Sequence, residues 1–143
     1  MKMTRNTAVA TALFTVMFVV GLVPTAHENS MRCSNGTLKG HYSALLTGSV
    51  NGLPFAALDL VTSDGQGNIS GTGTVVINGS PMPTTFTATY AVNPDCSGSF
   101  LSDTGTMENI TVSLDGSEVQ IILTSTPLGL ATVTGVAKNL AGD

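Results

Sequence analysis

Turn signals built on Asn-Gly, Asp-Gly and Pro recur along this chain every ten to fifteen residues, and between them apolar residues alternate with Thr, Ser and Gly. The stretch "HYSALLTGSVNGLPFAALDLVTSDGQGNISGTGTVVINGS", His41 to Ser80, shows the pattern. Period-two alternation sends successive side chains to opposite faces of a strand, and Asn-Gly or Asp-Gly supplies the positive φ that tight hairpins demand. From residue 40 onward no segment keeps apolar residues at three- and four-residue spacing over a helical length. The fold class is therefore all-β. Turns at Asn51-Gly52, Asp64 to Asn68, Asn78-Gly79, Asn93 to Asp95, Asp103 to Gly105, Asp115-Gly116 and Pro127 to Gly129 delimit eight strands joined by short connections, an antiparallel up-and-down meander.

Each strand separates into two faces. Ile110, Val112 and Leu114 share a side in "ENITVSL", Phe86, Ala88, Tyr90 and Val92 in "TTFTATYAV", Ile69, Gly71, Gly73, Val75 and Ile77 in "NISGTGTVVI", and Val119, Ile121 and Leu123 in "VQIIL". Folding the Asn78-Gly79 hairpin about residue 80 or 81 sets Gly71 near Tyr90 and Gly73 near Ala88, so that glycines make room for an aromatic ring. A sandwich needs longer crossovers than this chain shows, whereas closure removes both exposed sheet edges, so a closed barrel is expected. In such a meander the start of strand one and the turn after strand four lie at the same end. Cys33 and Cys96 can then meet across one mouth and tie an N-terminal plug.

The first 26 residues read as an address. Lys2 and Arg5 precede an uncharged apolar run, Ala8 to Val23, and "PTA" ends on a small residue, the pattern of a secretory signal peptide cleaved after Ala26. A retained anchor is the alternative, although the run falls short of the ~20 residues needed to span a bilayer as a helix. Residues 27–143 then form a single domain, secreted or periplasmic. In an oxidising compartment the two cysteines read as a disulfide rather than as free thiols, and closing that loop is worth roughly 4 kcal/mol in chain entropy. The mature chain keeps three cations, Arg32, Lys39 and Lys138, against nine carboxylates, a net charge of −6 with His neutral. Without clustered Lys and Arg, nucleic acid and anionic membrane surfaces are disfavoured as partners.

Motifs for chemistry are sparse. The mature chain has two histidines, His27 and His41, and no G-x-S-x-G elbow, so no catalytic residue is assigned; His41 is expected to face solvent beside Ser43. "DGQGNIS" fails as a phosphate loop because a strand follows it. Asp64 and Asn68 are too few ligands for Ca²⁺ and read as hairpin chemistry; no metal or cofactor is expected. Asp59, in "FAALDLVTS", is the open question. With Phe55, Ala57 and Val61 facing inward it is a buried carboxylate, whereas with Ala56, Leu58 and Leu60 inward it is solvated, and the second parity is preferred because charges are rarely buried unpaired. The sequons at Asn35, Asn68, Asn78 and Asn109 would be glycan acceptors in a eukaryotic secretory pathway, but three of the four coincide with turns or strand starts where Asn is expected anyway, and they read as turn chemistry.

The segments "CSNGTLKGHY", "DGQGNISGTGT" and "YAVNPDCSGSF" resemble a group of small secreted bacterial proteins of unknown function. These carry, in this order, Cys-x-N-x-T-L-x-G-x-Y, D-G-x-G-N-x-S-G and Y-x-V-N-P-D-C-x-G. The match spans residues 33 to 137, and it implies that Cys33 and Cys96 are a family feature and nothing about activity. The architecture is also similar to the barrels of allene oxide cyclases and lipocalins, without their catalytic or ligand motifs, and fold alone carries no function.

The expected function is that of a binding or structural module whose interior is either packed or holds one small apolar ligand. Tyr42, Phe55, Asp59, Phe86, Tyr90 and Phe100 are the candidate cavity residues. With five Phe, two Tyr and no Trp, aliphatic filling and a packed interior are preferred. Alternatives are a cyclase or isomerase using Asp59 and Tyr90, and a cell-surface protein presenting its Thr-rich outer face. The sequence does not address the oligomeric state.

Overall fold

A computed structural model describes residues 32–141. The expected signal peptide, its cleavage site and His27 lie outside the described residues. A short 3-10 turn, Asn35–Thr37, leads into eight strands: β1 Lys39–Val50, β2 Leu53–Asp64, β3 Asn68–Ile77, β4 Ser80–Val92, β5 Ser97–Ser102, β6 Met107–Val112, β7 Glu118–Ser125 and β8 Ala131–Asn139. Every neighbouring pair is antiparallel and β8 returns to β1, so the meander closes into a barrel. Each of the seven turns read from the sequence falls on a connection. Among the described residues no helix is long and apolar enough to cross a membrane.

The hairpins explain the register. Asn51 and Gly52 both have positive φ (51° and 76°), as do Asn78 and Gly79 (49° and 80°), which is the backbone of a two-residue turn whose twist matches the flanking strands. The second turn pairs Ile77 with Ser80, and this brings Gly71 opposite Phe86 and Gly73 opposite Thr84. The expected partners, Tyr90 and Ala88, are thus each displaced by four residues, because the loop is two residues rather than longer. The principle survives the shift: a Cβ at Gly71 would collide with the ring of Phe86.

One end of the barrel is sealed. Cys33 and Cys96 form the disulfide, with Cα atoms 5.0 Å apart, and the Cys33 amide donates to the Pro94 carbonyl at 3.2 Å. The segment behind Cys33 then folds over the mouth formed by the β2–β3, β4–β5 and β6–β7 connections. Asn35 Oδ1 accepts the Val92 amide at 2.8 Å, and the Tyr90 hydroxyl stands 2.9 Å from both the Asn35 and Leu38 carbonyl oxygens. Ser63 Oγ donates to the Leu38 carbonyl at 2.6 Å, and Tyr42, almost wholly buried, donates to the Gly116 carbonyl at 2.9 Å. Leu38 is the apolar stopper of this plug.

Inward positions follow the expected parity in β3, β4, β6 and β7, with Ile69, Tyr90, Val92, Ile110, Val112, Val119 and Ile121 buried, and Tyr42, Ala44 and Leu46 from β1 join them. Leu114 does not join them: β6 ends at Val112, and Leu114 is exposed in the following turn. The outer face is not uniformly polar either, since Leu45, Leu58, Leu60 and Val136 are all exposed on β1, β2 and β8.

Candidate functional site

The barrel interior holds a cavity of about 330 Å³, which corrects the preference for a packed core. Eight strands enclose a width that side chains can fill or that can hold one small ligand, and here small residues leave the space open. Ala44, Ala57, Ala88 and Ala137 line the wall, while the room left by Gly71 and Gly73 is taken by the Phe86 ring and the Asp59 carboxylate. The cavity is closed at the plug and reaches the opposite end, where Thr84, Thr104, Thr106 and the β7–β8 connection line its mouth.

Of the six residues singled out from the sequence, Tyr42, Phe55, Asp59, Phe86 and Phe100 line this cavity. Tyr90 does not. Its hydroxyl is drawn into the plug, and its ring stands edge-on to Phe100 with centroids 6.0 Å apart. It is a seal residue, and its hydroxyl is engaged by backbone carbonyls rather than turned to a ligand.

Asp59 overturns the preferred parity of β2. It is 8% exposed and faces the lumen, whereas Leu58 and Leu60 are 57% and 52% exposed on the outside. The strand is apolar on both faces, so alternation within it could not decide; its neighbours do. Asp59 pairs with Ala44 on β1 and Gly73 on β3, and a Cβ at Gly73 would collide with the Asp59 carboxylate. Small partners on both sides leave the carboxylate its space. Desolvation pushes its pKa upward, and its Oδ1 has no hydrogen-bond partner.

Glu108 was missed in the sequence. It lies on β6 with its carboxyl mostly buried in the same cavity, pairing with Phe100 on β5 and Leu123 on β7. The ladder skips Thr124 there, a register shift of β-bulge type beside Glu108, and Thr124 Oγ1 donates to the Met107 carbonyl at 3.1 Å. Burial, and secondarily the charge of Asp59, lift the Glu108 pKa from 4.5 to about 7. The available signal was the alternation "MENITV", which puts Glu108 on the side of Ile110 and Val112. A single acid in a six-residue strand reads more readily as an edge charge.

The lumen thus combines an apolar wall with two carboxyl groups, of which Glu108 feels the charge of Asp59, and no Lys, Arg or His lines it. No group of three or more metal-ligating residues occurs among the described residues. The other marked sites are structural. Asp64 accepts the Gln66 and Asn68 amides and Asn68 Nδ2 at 2.6, 3.0 and 2.6 Å, which makes the "DGQGN" loop a hairpin closure and lowers the Asp64 pKa to about 2. His41 is exposed, with Nδ1 3.0 Å from Thr62 Oγ1. Asn109 is an exposed mid-strand residue rather than a turn residue. No protein-family model matches the chain, and neither does any curated protein or solved structure.

Proposed function

We propose that this chain is an exported binding protein that holds one small, predominantly apolar molecule inside its barrel. The observation that carries the reading is the chamber itself: about 330 Å³, walled largely by aliphatic and aromatic side chains, sealed at one end and open at the other. That volume lies at the lower end of ligand pockets and corresponds to a compact molecule rather than a long lipid. An apolar void forfeits dispersion contacts that an occupant would restore. The leader-like first 26 residues and the disulfide both suit a compartment outside the cytoplasm.

Native mass spectrometry of the protein purified from its host's extracellular and periplasmic fractions tests this directly. The expected species begins near His27, lacks two hydrogens because of the disulfide, and carries extra mass that is lost on denaturation. A bare oxidised chain that also fails to take up small apolar molecules in vitro would overturn the reading.

One observation favours a second reading, a cyclase or isomerase working in the same chamber. A carboxyl group with a pKa of about 7 can both give and take a proton near neutrality, and Glu108 is such a group. The two readings separate on the recovered molecule: a carrier returns what it was given, an isomerase returns a rearranged product.

A further inference from the structure

The plug and the lumen treat their polar groups differently. At the plug, Tyr42, Ser63 and Tyr90 each meet a backbone carbonyl within hydrogen-bond distance. In the lumen, Asp59 Oδ1 is the buried side-chain oxygen without a partner among the described residues. A carboxylate more than nine-tenths buried and unpartnered is costly, and a structural role does not account for it, since nothing in the fold is held by that oxygen. The surroundings preserve it instead. Gly73 stands where any side chain would strike the carboxylate, and Ala44 flanks it on the other side.

The second acid narrows what fits. Glu108 reaches the same chamber from β6, and the two carboxyls repel when both are ionised. A single cation in the chamber would relieve the repulsion and offset the cost of burying the Asp59 charge. A metal ion is a poor candidate because two carboxyls in an apolar wall fall far short of the six to eight oxygens Ca²⁺ takes. An organic ammonium group needs only a few acceptors and brings its own apolar body, which suits the rest of the wall.

Resting on the reading of the lumen as a ligand chamber, we infer that its ligand is a small apolar molecule bearing one protonated amine, held between Asp59 and Glu108. The amine would hydrogen-bond to the lumen-facing side of the Asp59 carboxylate, and the hydrocarbon part would lie against Phe55, Phe86 and Phe100. Selectivity depends on the protonation of the pair. From β1, β3, β5 and β7 the groups next to the two acids are Ala44, Gly73, Phe100 and Leu123, none of which titrates; Tyr42 is the other titratable residue on the cavity wall. The acids therefore set the pH dependence by themselves, and an amine binds most tightly where both have lost their protons.

The experiment is isothermal titration calorimetry of the intact disulfide-bonded protein with 2-phenylethylamine and with 2-phenylethanol, which share a skeleton and differ in the charged group. At about pH 8 the amine should bind at least about tenfold more tightly than the alcohol, a margin expected of a desolvated charge-assisted hydrogen bond. The preference should weaken as pH falls below about 7, where Glu108 takes up its proton, and should collapse in Asp59→Asn and Glu108→Gln, while both variants still take up the alcohol. Equal affinities for amine and alcohol, or a preference that survives both substitutions, would overturn this inference and leave the ligand chamber standing. If neither compound binds, both this inference and the chamber reading fall.

Discussion

Gly73 stands opposite Asp59 in the β2–β3 ladder, and the space a Cβ would need there is occupied by the Asp59 carboxylate. Gly73→Ala must therefore move either the carboxylate or the strand, since the Leu58 carbonyl is also in the way. We expect a loss of about 1–3 kcal/mol, the usual range for overpacking, read from the midpoint of urea unfolding. Combining it with Asp59→Ala should recover part of that loss, because residues in contact are not additive. Strict additivity would show that the glycine serves the backbone alone.

That pair also marks where the sequence was and was not legible. Turn chemistry is local, so Asn51-Gly52 and Asn78-Gly79 announced their hairpins, and the meander with its shared end for Cys33 and Cys96 followed. Which face of β2 turned inward was not local. Phe55, Ala57 and Val61 compete with Ala56, Leu58 and Leu60 on nearly equal terms, and the decision rests with the small residues Ala44 and Gly73 across the ladders. The lumen was hidden for a related reason. A cavity is the sum of missing atoms at Ala44, Ala57, Ala88 and Ala137, and no single position signals it.

Stability should depend on pH with a maximum between about pH 4 and 5 when no ligand is bound. Glu108 titrates near 4.5 when unfolded and near 7 when folded, so across that interval the folded state keeps a proton that the unfolded state has lost. Stability then falls as pH rises, by an amount on the order of 3 kcal/mol by the time both states are ionised. Asp59, also raised, adds in the same direction. On the acid side Asp64 and Asp115 are lowered to about 2 by hydrogen bonds, so their contribution is complete above pH 3.8 and is lost as pH falls through 2. Urea midpoints from pH 3 to 8 check the profile, and Glu108→Gln should flatten its alkaline limb. An unchanged limb in that variant would mean that Glu108 is not the group responsible.

The plug should be separable from the barrel. Reducing the disulfide, or replacing both cysteines by Ala, removes a constraint worth up to roughly 4 kcal/mol and frees the segment before β1. Tyr90→Phe is milder, because it removes one hydroxyl from the Asn35 and Leu38 carbonyls, and about 1 kcal/mol is expected. Hydrogen exchange would localise the effect. The Leu38 and Val92 amides, whose partners sit in the plug, should lose protection before those of β1 and β2 do. Uniform loss across the barrel would instead make the plug part of one cooperative unit.

The chain contains no Trp, so a single indole can report on the lumen without background. Leu123 is the site of choice: it lines the cavity and pairs with Glu108 across the β6–β7 ladder. In Leu123→Trp the larger ring extends into space that is already empty, so the cost should stay at the low end of the 1–3 kcal/mol typical of small-to-large core changes. Its emission should be that of an indole shielded from water, and it should shift as pH passes through about 7, when the neighbouring Glu108 ionises. The ring also consumes volume that a ligand would occupy, so 2-phenylethanol should bind this variant more weakly than the parent. Emission characteristic of a water-exposed indole, with no response to pH, would show instead that the side chain at 123 turns away from Glu108 and out of the chamber.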